Sequence, residues 1–557
     1  MRSMPTACAL ATTVVMVAAA ERTAAAPVTT TTPCAKTPRY RVYPLPNGEC
    51  VIAGNDAFAG GDPKERFRYT LYAWLILGGD KPILVDAGLK NVAQMNEGAA
   101  RVLARPIVQR PDETIEAQLR RFGLRPADIG HVFVTHLHFD HVDAIEDYTN
   151  AIIHVGRKEL ALALGSDGRA GWCDARIRSA LTERMRDRVR PCGDEEVLPG
   201  IRTLCIGGHT PGSMAISVCT RQGRTVLTGD TVSLLANIER DIPIGVRERD
   251  DDLRAAMRRI RAEADVILPS HDPGTLDRWP PRAKGVPRYT IRALKCGECE
   301  VRDFITFNDS QSQGTSTFYL YVWVIQGGGR TVVVDTGPKD PAGFSKATGA
   351  YIPGGVKQAP EERTPDLLRR NGIDPASVSH VIATHLHADH YDYYDAFPVA
   401  QLVVNREEYA VSRDRLASSV KEALASRGAD SLRLVGDEEV VPGIRVFRIG
   451  CHTAGSQAVA VQTAMGTVVL TGDVVYKYAN IEGDRAINTA ERDRVINSPD
   501  PDACRKAMAR IREEADYVLP AHDPAVLDRW PGGIIGARPR AAYPDVDSSA
   551  GDNRPTP

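Results

Sequence analysis

The sequence predicts two tandem domains of a layered α/β class. One observation is an internal repeat, in which segments such as Pro38-Arg39-Tyr40 and Pro287-Arg288-Tyr289 recur 249 residues apart in the 557-residue chain. The other is that apolar runs typical of buried strands alternate with helical patterns inside each repeat. A register held over so long a span indicates two homologous domains, because arrays of short repeats have periods of about 20–50 residues.

The N-terminus resembles a secretory signal peptide. Arg2 precedes an apolar run from Cys8 to Ala20, which ends in small residues. This run is shorter than the roughly 20 residues of a membrane span. We therefore expect a secreted or periplasmic protein without a membrane span; the alternative is an alanine-rich disordered leader on a cytoplasmic enzyme. The predicted boundaries are a signal peptide at 1–26, domain 1 at 33–280, domain 2 at 281–535 and a disordered tail at 536–557.

The composition excludes one class of partner and leaves the cysteine chemistry open. The formal net charge of −2 gives no basic excess, so we expect no nucleic-acid partner. Loss of the leader would remove Cys8 from the 11 cysteines and leave an even number, which is compatible with disulfides. Cys173 and Cys192 are the best candidate pair, because the equivalent segment of the second half contains no cysteine. The cysteines predicted to be core residues are Cys205, Cys219, Cys451 and Cys504.

The elements follow the same order in both halves. In the first half, a hairpin is predicted from Leu71–Ile76 and Ile83–Val85, followed by a helix over Asp112–Phe122. The later elements predicted there are strands at Gly200–Leu204 and Val218–Leu227 and a helix at Asp252–Ala264. Their counterparts in the second half are Leu320–Ile325, Val332–Val334, Pro365–Arg370, Gly443–Phe447, Ala458–Leu470 and Ala503–Ala515.

Each half has a loop rich in histidine and aspartate directly after an apolar strand. The loops are Thr135-His136-Leu137-His138-Phe139-Asp140-His141 and Thr384-His385-Leu386-His387-Ala388-Asp389-His390. Their first two histidines would lie on one side of an extended backbone, while the Asp-His pair that follows can turn toward a second point. This arrangement predicts two metal ions per domain. Imidazole and carboxylate ligands favour zinc, with iron, cobalt or manganese also possible.

Further ligand candidates follow strands downstream of each loop. They are His209, Asp230 and His271 in the first half and His452, Asp473 and His522 in the second. The step from histidine to aspartate is 21 residues in both halves, whereas the step from aspartate to the last histidine is 41 residues in one and 49 in the other. Loop length therefore varies between the halves while the candidate ligands persist.

With this H-x-H-x-D-H motif and its downstream residues, the chain resembles the metallo-β-lactamase superfamily and, within it, the N-acyl homoserine lactonases. The resemblance covers nearly all of both halves and implies an αββα sandwich in each. It implies one metal held by His136, His138 and His209, another by Asp140, His141 and His271, and Asp230 as the bridge. In the second half the corresponding residues are His385, His387 and His452; Asp389, His390 and His522; and Asp473. Asp86 and Asp335 resemble the buried aspartates that orient ligands in this superfamily.

Two positions bear on the activity that the resemblance implies. The bridging aspartates count against β-lactamase activity, because many true β-lactamases of the superfamily lack such a bridge. Tyr476, three residues after Asp473, stands where the lactonases carry a tyrosine that contacts the substrate carbonyl. Ser233 occupies this place in the first half. The catalytic candidates are Tyr476, Asp473, Asp389 and Asp140.

The predicted function is that of a dizinc hydrolase which opens lactone rings, such as those of acyl homoserine lactones used in quorum sensing, by a metal-bound hydroxide. The substrate would be a small-molecule lactone or ester. An alternative is hydrolysis of another ester, thioester or phosphodiester by the same metal pair. The first domain is also open to interpretation as a non-catalytic partner, with the two domains packed as an intramolecular pseudo-dimer.

Overall fold

A computed structural model describes residue 34 and residues 39–165, 173–280, 285–487, 501–537 and 541–546. The predicted signal peptide at 1–26 lies outside the described residues. Each half forms two β-sheets with helices packed against them, as the sequence predicts for an αββα arrangement. Within the described part of the chain, every helix is too short or too polar to cross a bilayer.

Domain 1 contains a seven-stranded and a five-stranded sheet, with strand orders β4-β1-β2-β3-β5-β6-β7 and β12-β11-β10-β9-β8. The strands are β1 Arg41–Ala53, β2 Arg66–Leu77, β3 Ile83–Val85, β4 Leu103–Val108, β5 His131–Val134, β6 Ile152–Gly156, β7 Val189–Cys192, β8 Glu195–Leu198, β9 Ile201–Cys205, β10 Met214–Thr220, β11 Gly223–Leu227 and β12 Val266–Leu268. The helices are α1 Gly54–Ala57, α2 Val92–Gly98, α3 Ile115–Arg120, α4 Phe139–Val142, α5 Arg157–Leu164, α6 Ala175–Ser179, α7 Leu235–Glu239, α8 Asp250–Glu263 and α9 Thr275–Arg278.

Domain 2 repeats this plan with strand orders β18-β17-β16-β15-β14-β13-β24 and β19-β20-β21-β22-β23. The strands are β13 Thr290–Arg302, β14 Thr315–Gly327, β15 Arg330–Val334, β16 His380–Ile382, β17 Gln401–Asn405, β18 Leu432–Val435, β19 Glu438–Val441, β20 Ile444–Arg448, β21 Gln457–Gln462, β22 Thr467–Leu470, β23 Tyr517–Leu519 and β24 Ile534–Ile535. The helices are α10 Asp303–Thr306, α11 Pro341–Thr348, α12 Thr364–Arg370, α13 Ala388–Tyr391, α14 Arg406–Ser412, α15 Ser418–Arg427, α16 Tyr478–Glu482, α17 Pro501–Glu514 and α18 Ala525–Arg529.

Each domain has apolar layers between its sheets and beneath its helices. In domain 1, Trp74 and Phe133 of the first sheet pack in one buried cluster with Ile216 of the second. Helix α8 covers the other face of the second sheet, where its Met257 packs with Val226. Central strands such as β3 and β10 are therefore buried on both faces, whereas the outer strands β4, β7 and β8 are partly exposed. This burial explains the nearly continuous apolar sequences of the central strands.

The predicted elements occur, but two strands divide and one helix is shorter. The segments predicted as single strands at Val218–Leu227 and Ala458–Leu470 lie in the hairpins β10-β11 and β21-β22. Gly223 and Gly466 have φ values of 101° and 136° at these turns, a conformation open mainly to glycine. The helix predicted over Asp112–Phe122 is a short 3-10 turn followed by α3, because Thr114 caps a new helix by accepting a hydrogen bond from Ala117 N at 3.3 Å.

The two domains contact each other through an aromatic cluster. Tyr43 of β1 lies 5.9 Å from Tyr517 of β23 between ring centroids, and Phe122, just after α3, lies 5.1 Å from the same ring. Arg41 Nη1 also donates to Ala515 O at 2.6 Å. The first strand of domain 1 is thus joined to the second sheet of domain 2.

Part of the C-terminal tail differs from the expectation of disorder. Residues 541–546 lie against domain 1, where Ala542 N donates to Glu49 Oε2 at 2.6 Å. Arg105 forms a bidentate ion pair with Asp545, with Nη1–Oδ1 and Nη2–Oδ2 distances of 2.8 and 2.6 Å. Disorder was expected because the segment is rich in proline and aspartate and has few apolar residues. The residues that hold it in place, Glu49 and Arg105, are far away in the sequence.

The predicted cysteine chemistry is wrong in detail. Cys173 and Cys192 are free and buried, while disulfides join Cys34 to Cys219 and Cys451 to Cys504. Three of the cysteines predicted to be plain core residues are therefore cross-linked. Pairing depends on Cα atoms within about 7 Å. The bonded pairs have Cα separations of 5.4 and 4.9 Å, a proximity that spacing along the sequence does not reveal.

The Cys451–Cys504 bridge attaches the loop of His452 to helix α17. Replacing Cys504 with alanine is expected to lower the free energy of unfolding by about 2–4 kcal/mol, because the bridge closes a 53-residue loop. Urea unfolding under non-reducing conditions measures this change. Cys205→Ala, which alters a half-buried free thiol, is the control. An equal free energy of unfolding for the Cys504→Ala variant and the wild-type protein would show that the bridge contributes nothing to stability.

Candidate metal centres

Parallel strands bring the histidine-rich loops and the buried aspartates to one edge of each first sheet. Strand β5 runs parallel to β3 and β6, and β16 runs parallel to β15 and β17. Asp86 follows β3 and Asp335 follows β15, while each histidine-rich loop follows the neighbouring strand. Since the carboxyl ends of parallel strands lie at the same edge, these side chains meet there.

Three histidines converge in the first cluster of domain 1. His138 Nδ1 lies 2.9 Å from His136 Nε2 and 2.9 Å from His209 Nε2. Asp230 Oδ2 lies 3.6 Å from His209 Nε2 and 3.9 Å from His136 Nε2. One ligand atom from each of these four residues falls within a span of 4.8 Å.

A second cluster adjoins the first and shares Asp230. The other carboxylate oxygen, Oδ1, lies 2.9 Å from His271 Nε2 and 3.2 Å from His141 Nε2. Asp140 Oδ2 lies 3.4 Å from His141 Nε2 and 3.8 Å from His271 Nε2. Each oxygen of Asp230 therefore faces a different set of imidazoles.

Domain 2 has the same pair of clusters. His387 Nδ1 lies 2.9 Å from His385 Nε2 and 3.0 Å from His452 Nε2. Asp473 Oδ2 faces His452 Nε2 at 3.4 Å, while its Oδ1 lies 2.9 Å from His522 Nε2 and 3.2 Å from His390 Nε2. Asp389 Oδ2 completes the second set, 3.5 Å from His390 Nε2. The structure thus brings together all fourteen ligand candidates, seven in each domain.

The hydrogen bonds at the outer nitrogens show that these clusters fit metal ions. His209 Nδ1 donates to Val246 O at 2.7 Å, and His141 Nδ1 donates to Asp86 Oδ2 at 2.8 Å. A neutral imidazole that donates from Nδ1 has its lone pair on Nε2, the atom that faces the cluster. His141 Nε2 and His390 Nε2 are buried and make no hydrogen bond. Converging lone pairs and carboxylate oxygens repel one another unless a cation lies between them.

Burial and local charge keep His136, His138 and Asp230 in their metal-binding forms. Burial and the neighbouring imidazoles hold the pKa of His136 well below its usual value, and burial lowers the pKa of His138 to about 3. Burial alone would raise the pKa of Asp230, but His271 and His141 hold that pKa well below its usual value. At pH 7 His136 and His138 are therefore neutral and Asp230 is ionised, as metal ligation requires. The histidines of the second cluster differ: burial alone would lower the pKa of His141, but Asp140, Asp230 and Asp86 raise it well above its usual value, so a metal would displace a proton there.

Asp86 and Asp335 hold the ligand loops from behind. Asp86 Oδ1 accepts a hydrogen bond from Thr135 N at 2.8 Å, while its Oδ2 lies 2.8 Å from His141 Nδ1. Asp335 makes the same contacts with Thr384 N and His390 Nδ1, both at 2.8 Å. These are the positioning contacts that the family resemblance implies for the two aspartates.

Sequence reasoning missed two buried glutamates that join the ligand loops. Glu159 accepts hydrogen bonds from Leu137 N at 3.0 Å, Thr210 Oγ1 at 2.7 Å and Gly212 N at 3.1 Å. It thus connects the loop of His136 and His138 to the loop of His209. Glu408 makes the equivalent contacts in domain 2. The signal available in the sequence was their separation, because they are 249 residues apart, like His136 and His385.

Tyr476 lies beside the metal cluster of domain 2, with its ring buried. Its hydroxyl is 3.3 Å from His452 Nδ1, and its ring centroid is 5.9 Å from that of His522. In domain 1 the corresponding Ser233 is also buried. The outer nitrogen of His209 there donates a hydrogen bond to Val246 O.

Domain 1 has a cavity of about 580 Å³ next to its clusters. Apolar side chains from β1, β2, α2 and β4 form much of its wall, and ligand candidates form another part. The apolar lining residues include Ile52, Leu71, Met95, Leu103, Ile107 and Phe139, and the ligand candidates are His138, Asp140, His209, Asp230 and His271. The space can hold a largely apolar molecule whose polar end lies at the clusters.

Two αββα domains, each with paired His/Asp clusters joined by one aspartate, define a tandem metal-binding protein. The chain matches the metallo-beta-lactamase superfamily over residues 70–271 and again over 317–522, and it belongs to that superfamily. Members of this superfamily are generally hydrolases.

Curated relatives include bacterial lactonases. An N-acyl homoserine lactonase of Bacillus thuringiensis is 28% identical over 243 residues, which are 42% of this chain and 93% of the relative. The lactonase AttM of Azorhizobium caulinodans is 29% identical over 195 residues, 33% of this chain and 71% of the relative. Among solved structures, an N-acyl homoserine lactone hydrolase with N-hexanoyl-L-homoserine at its catalytic metal center is 25% identical. That match covers 43% of this chain and 96% of the other, with a TM-score of 0.38.

Proposed function

We propose that the protein is a dizinc hydrolase that opens lactone rings, including those of acyl homoserine lactones, with two zinc ions in each domain. The observation that carries the proposal is the bridging position of Asp230 and Asp473, each with one carboxylate oxygen toward each set of imidazoles. Two metal sites that share a carboxylate are suited to hydrolysis at a carbonyl carbon. We propose lactones as the substrates because the relatives described above include N-acyl homoserine lactonases.

Ring opening adds one water molecule to the lactone. The water oxygen forms a bond with the carbonyl carbon, and the bond from that carbon to the ring oxygen then breaks. The ring oxygen leaves as an alkoxide and takes up a proton, which gives a hydroxy acid. When bound, the two zinc ions would polarise the carbonyl and lower the pKa of water.

The residues of this chain have separate tasks in the proposed reaction. The histidines and Asp140 or Asp389 would hold the two ions, and Asp230 or Asp473 would fix their separation. Asp86 and Asp335 keep His141 and His390 oriented through the bonds described above. In domain 2, the Tyr476 hydroxyl would contact the substrate carbonyl or supply a proton to the leaving oxygen.

The cavity of domain 1 supports a substrate with an apolar chain. Its aliphatic wall can take up an acyl group while the ring lies at the clusters. We also propose that the protein is secreted or periplasmic, which the two disulfides support. The aromatic contacts of Tyr43 and Phe122 with Tyr517 support an intramolecular pseudo-dimer.

A substrate panel tests the function in two full-length parent variants. The domain-1 parent carries His385→Ala and His387→Ala, and the domain-2 parent carries His136→Ala and His138→Ala. Each variant disables one domain and leaves the other intact. Lactones, thioesters, simple esters and phosphodiesters are compared at equal zinc loading. Highest kcat/KM for a lactone is the expected result; a clear preference for another class in both parents would replace lactonase with that activity.

A further inference from the structure

Two neighbouring positions beside the His/Asp clusters carry one tyrosine in each domain. The tyrosine occupies one of these positions in domain 1 and the other in domain 2. The first position is Tyr69 on β2 in domain 1 and Phe318 on β14 in domain 2. The second is Ser233 in domain 1 and Tyr476 in domain 2, each three residues after the bridging aspartate. Each domain therefore has one phenol in this pair, from the first position in domain 1 and from the second position in domain 2.

The backbone shows that these positions are equivalent. Tyr69 pairs with Cys50 across the β1-β2 ladder, as Phe318 pairs with Cys299 across the β13-β14 ladder. Ser233 O accepts a hydrogen bond from His271 N at 2.9 Å, and Tyr476 O accepts one from His522 N at 3.0 Å. The two domains therefore have the same backbone arrangement at these positions and differ only in the side chains.

The ring of Tyr69 is held on the last histidine of the cluster. It stacks on His271 with centroids 5.1 Å apart and planes 15° apart, while Phe318 stacks on His522 at 5.1 Å and 17°. The stacked ring is common to both domains, so the hydroxyl is the feature that domain 1 adds. The side chain of Ser233, the residue in the place of Tyr476, is close enough to that hydroxyl to interact with it.

Tyr69 also lines a cavity that a substrate can enter. Tyr69, Ser233, Asp230 and His271 all line the 580 Å³ cavity of domain 1. The outer nitrogen of His209 donates to Val246 O in domain 1. In domain 2 the Tyr476 hydroxyl lies 3.3 Å from the outer nitrogen of His452.

We propose that Tyr69 is the substrate-contacting phenol of domain 1, with Ser233 as its positioning residue, and that domain 1 is a second active hydrolase domain. This inference rests on the proposed function. The phenol would donate a hydrogen bond to the carbonyl oxygen as the water oxygen adds, and Ser233 would hold the phenol in place. Domain 1 then uses a different wall of the site from domain 2 for the same task.

Tyr69→Phe in the domain-1 parent is the main test, because phenylalanine retains the stacked ring that domain 2 has at this position. We expect kcat/KM for the lactone to fall at least about tenfold, mostly in kcat, with zinc content unchanged; loss of one oxyanion donor in other enzymes costs about 10²–10³ in kcat. Adding Ser233→Tyr to Tyr69→Phe recreates the pair of domain 2 and is expected to restore part of the lost kcat. Tyr40→Phe is the matched control, because it removes a hydroxyl bonded to Pro199 O at 2.9 Å.

A binding measurement gives a readout that does not depend on turnover. Calorimetry on the domain-1 parent with the ring-opened product, an N-acyl homoserine, is expected to show weaker binding after Tyr69→Phe and not after Tyr40→Phe.

Several results would overturn the inference. Unchanged kcat and product affinity after Tyr69→Phe would do so, as would loss of zinc, since zinc loss would indicate a structural role. A zinc-loaded domain-1 parent that hydrolyses nothing in the panel, beside an active domain-2 parent, would refute it while leaving the lactonase function intact. If both parents prefer another substrate class, the lactonase proposal fails and the same variants decide the role of Tyr69 on that class.

Discussion

Asp473→Ala in the domain-2 parent is expected to abolish hydrolysis and to remove at least one of the two zinc ions from that domain. The two oxygens of Asp473 face different sets of imidazoles, at 3.4 Å from His452 and 2.9 Å from His522. Loss of a residue that only orients a ligand costs about 10–100-fold in metal affinity or activity. Loss of a ligand shared by two ions is expected to exceed that range. Elemental analysis and steady-state kinetics measure the two effects.

A control for this variant is Asp516→Ala. It removes another carboxylate of the same domain, one that accepts a hydrogen bond from Thr467 N at 2.8 Å. We expect it to leave both zinc content and kcat unchanged, because Thr467 begins β22 and lies at the opposite end of that strand from the loop of Asp473. If Asp473→Ala retained two ions and full activity, Asp473 could not be the bridge.

Asp335→Asn is expected to weaken zinc binding in domain 2 by about 10–100-fold. The substitution keeps the shape of the side chain but removes the charge that supports Nδ1–H of His390, which lies 2.8 Å from Asp335 Oδ2. It adds little backbone strain, because Asp335 has φ of 56° and asparagine also tolerates this left-handed conformation. Competition with a chelator, using the domain-2 parent, gives the affinity.

The matched control for Asp335→Asn is Asp340→Asn, which changes the exposed carboxylate that caps α11. Asp86→Asn in the domain-1 parent tests the same role at the equivalent position, where Asp86 Oδ2 lies 2.8 Å from His141 Nδ1. An unaltered zinc affinity in both Asp335→Asn and Asp86→Asn would mean that the aspartates serve the loop backbone alone.

The candidate ligands could be predicted from the sequence because their signal is both local and repeated. His136, His138, Asp140 and His141 stand within one short loop, and their counterparts recur at one fixed offset. The strand before that loop is apolar on both faces, as a buried parallel strand must be. Local spacing and burial therefore carried enough information to place the loop at a sheet edge.

Features that depend on distant contacts were harder to predict. The Cys451–Cys504 pair needed the approach of α17 to the His452 loop, whereas the comparison of the two halves favoured Cys173 and Cys192. The role of Glu159 needed the contact between two loops that are far apart in sequence. In both cases the partners are chosen by tertiary packing and not by a periodic pattern.

The different positions of the tyrosine in the two domains show the same limit at the substrate site. A motif that counts from Asp473 finds Tyr476, but counting from Asp230 reaches only Ser233. The phenol of domain 1 comes from β2, and its proximity to Ser233 follows from the stacking of Tyr69 on His271. Two homologous sites can thus contain the same functional group at different positions of the fold.

Zinc counting on the wild-type protein distinguishes paired from single metal centres. Close to four ions per chain are expected after purification in zinc-replete buffer, two for each bridging aspartate. Inductively coupled plasma mass spectrometry, normalised to protein concentration, provides the number. Two ions per chain or fewer under these conditions would contradict the proposal of two zinc ions in each domain.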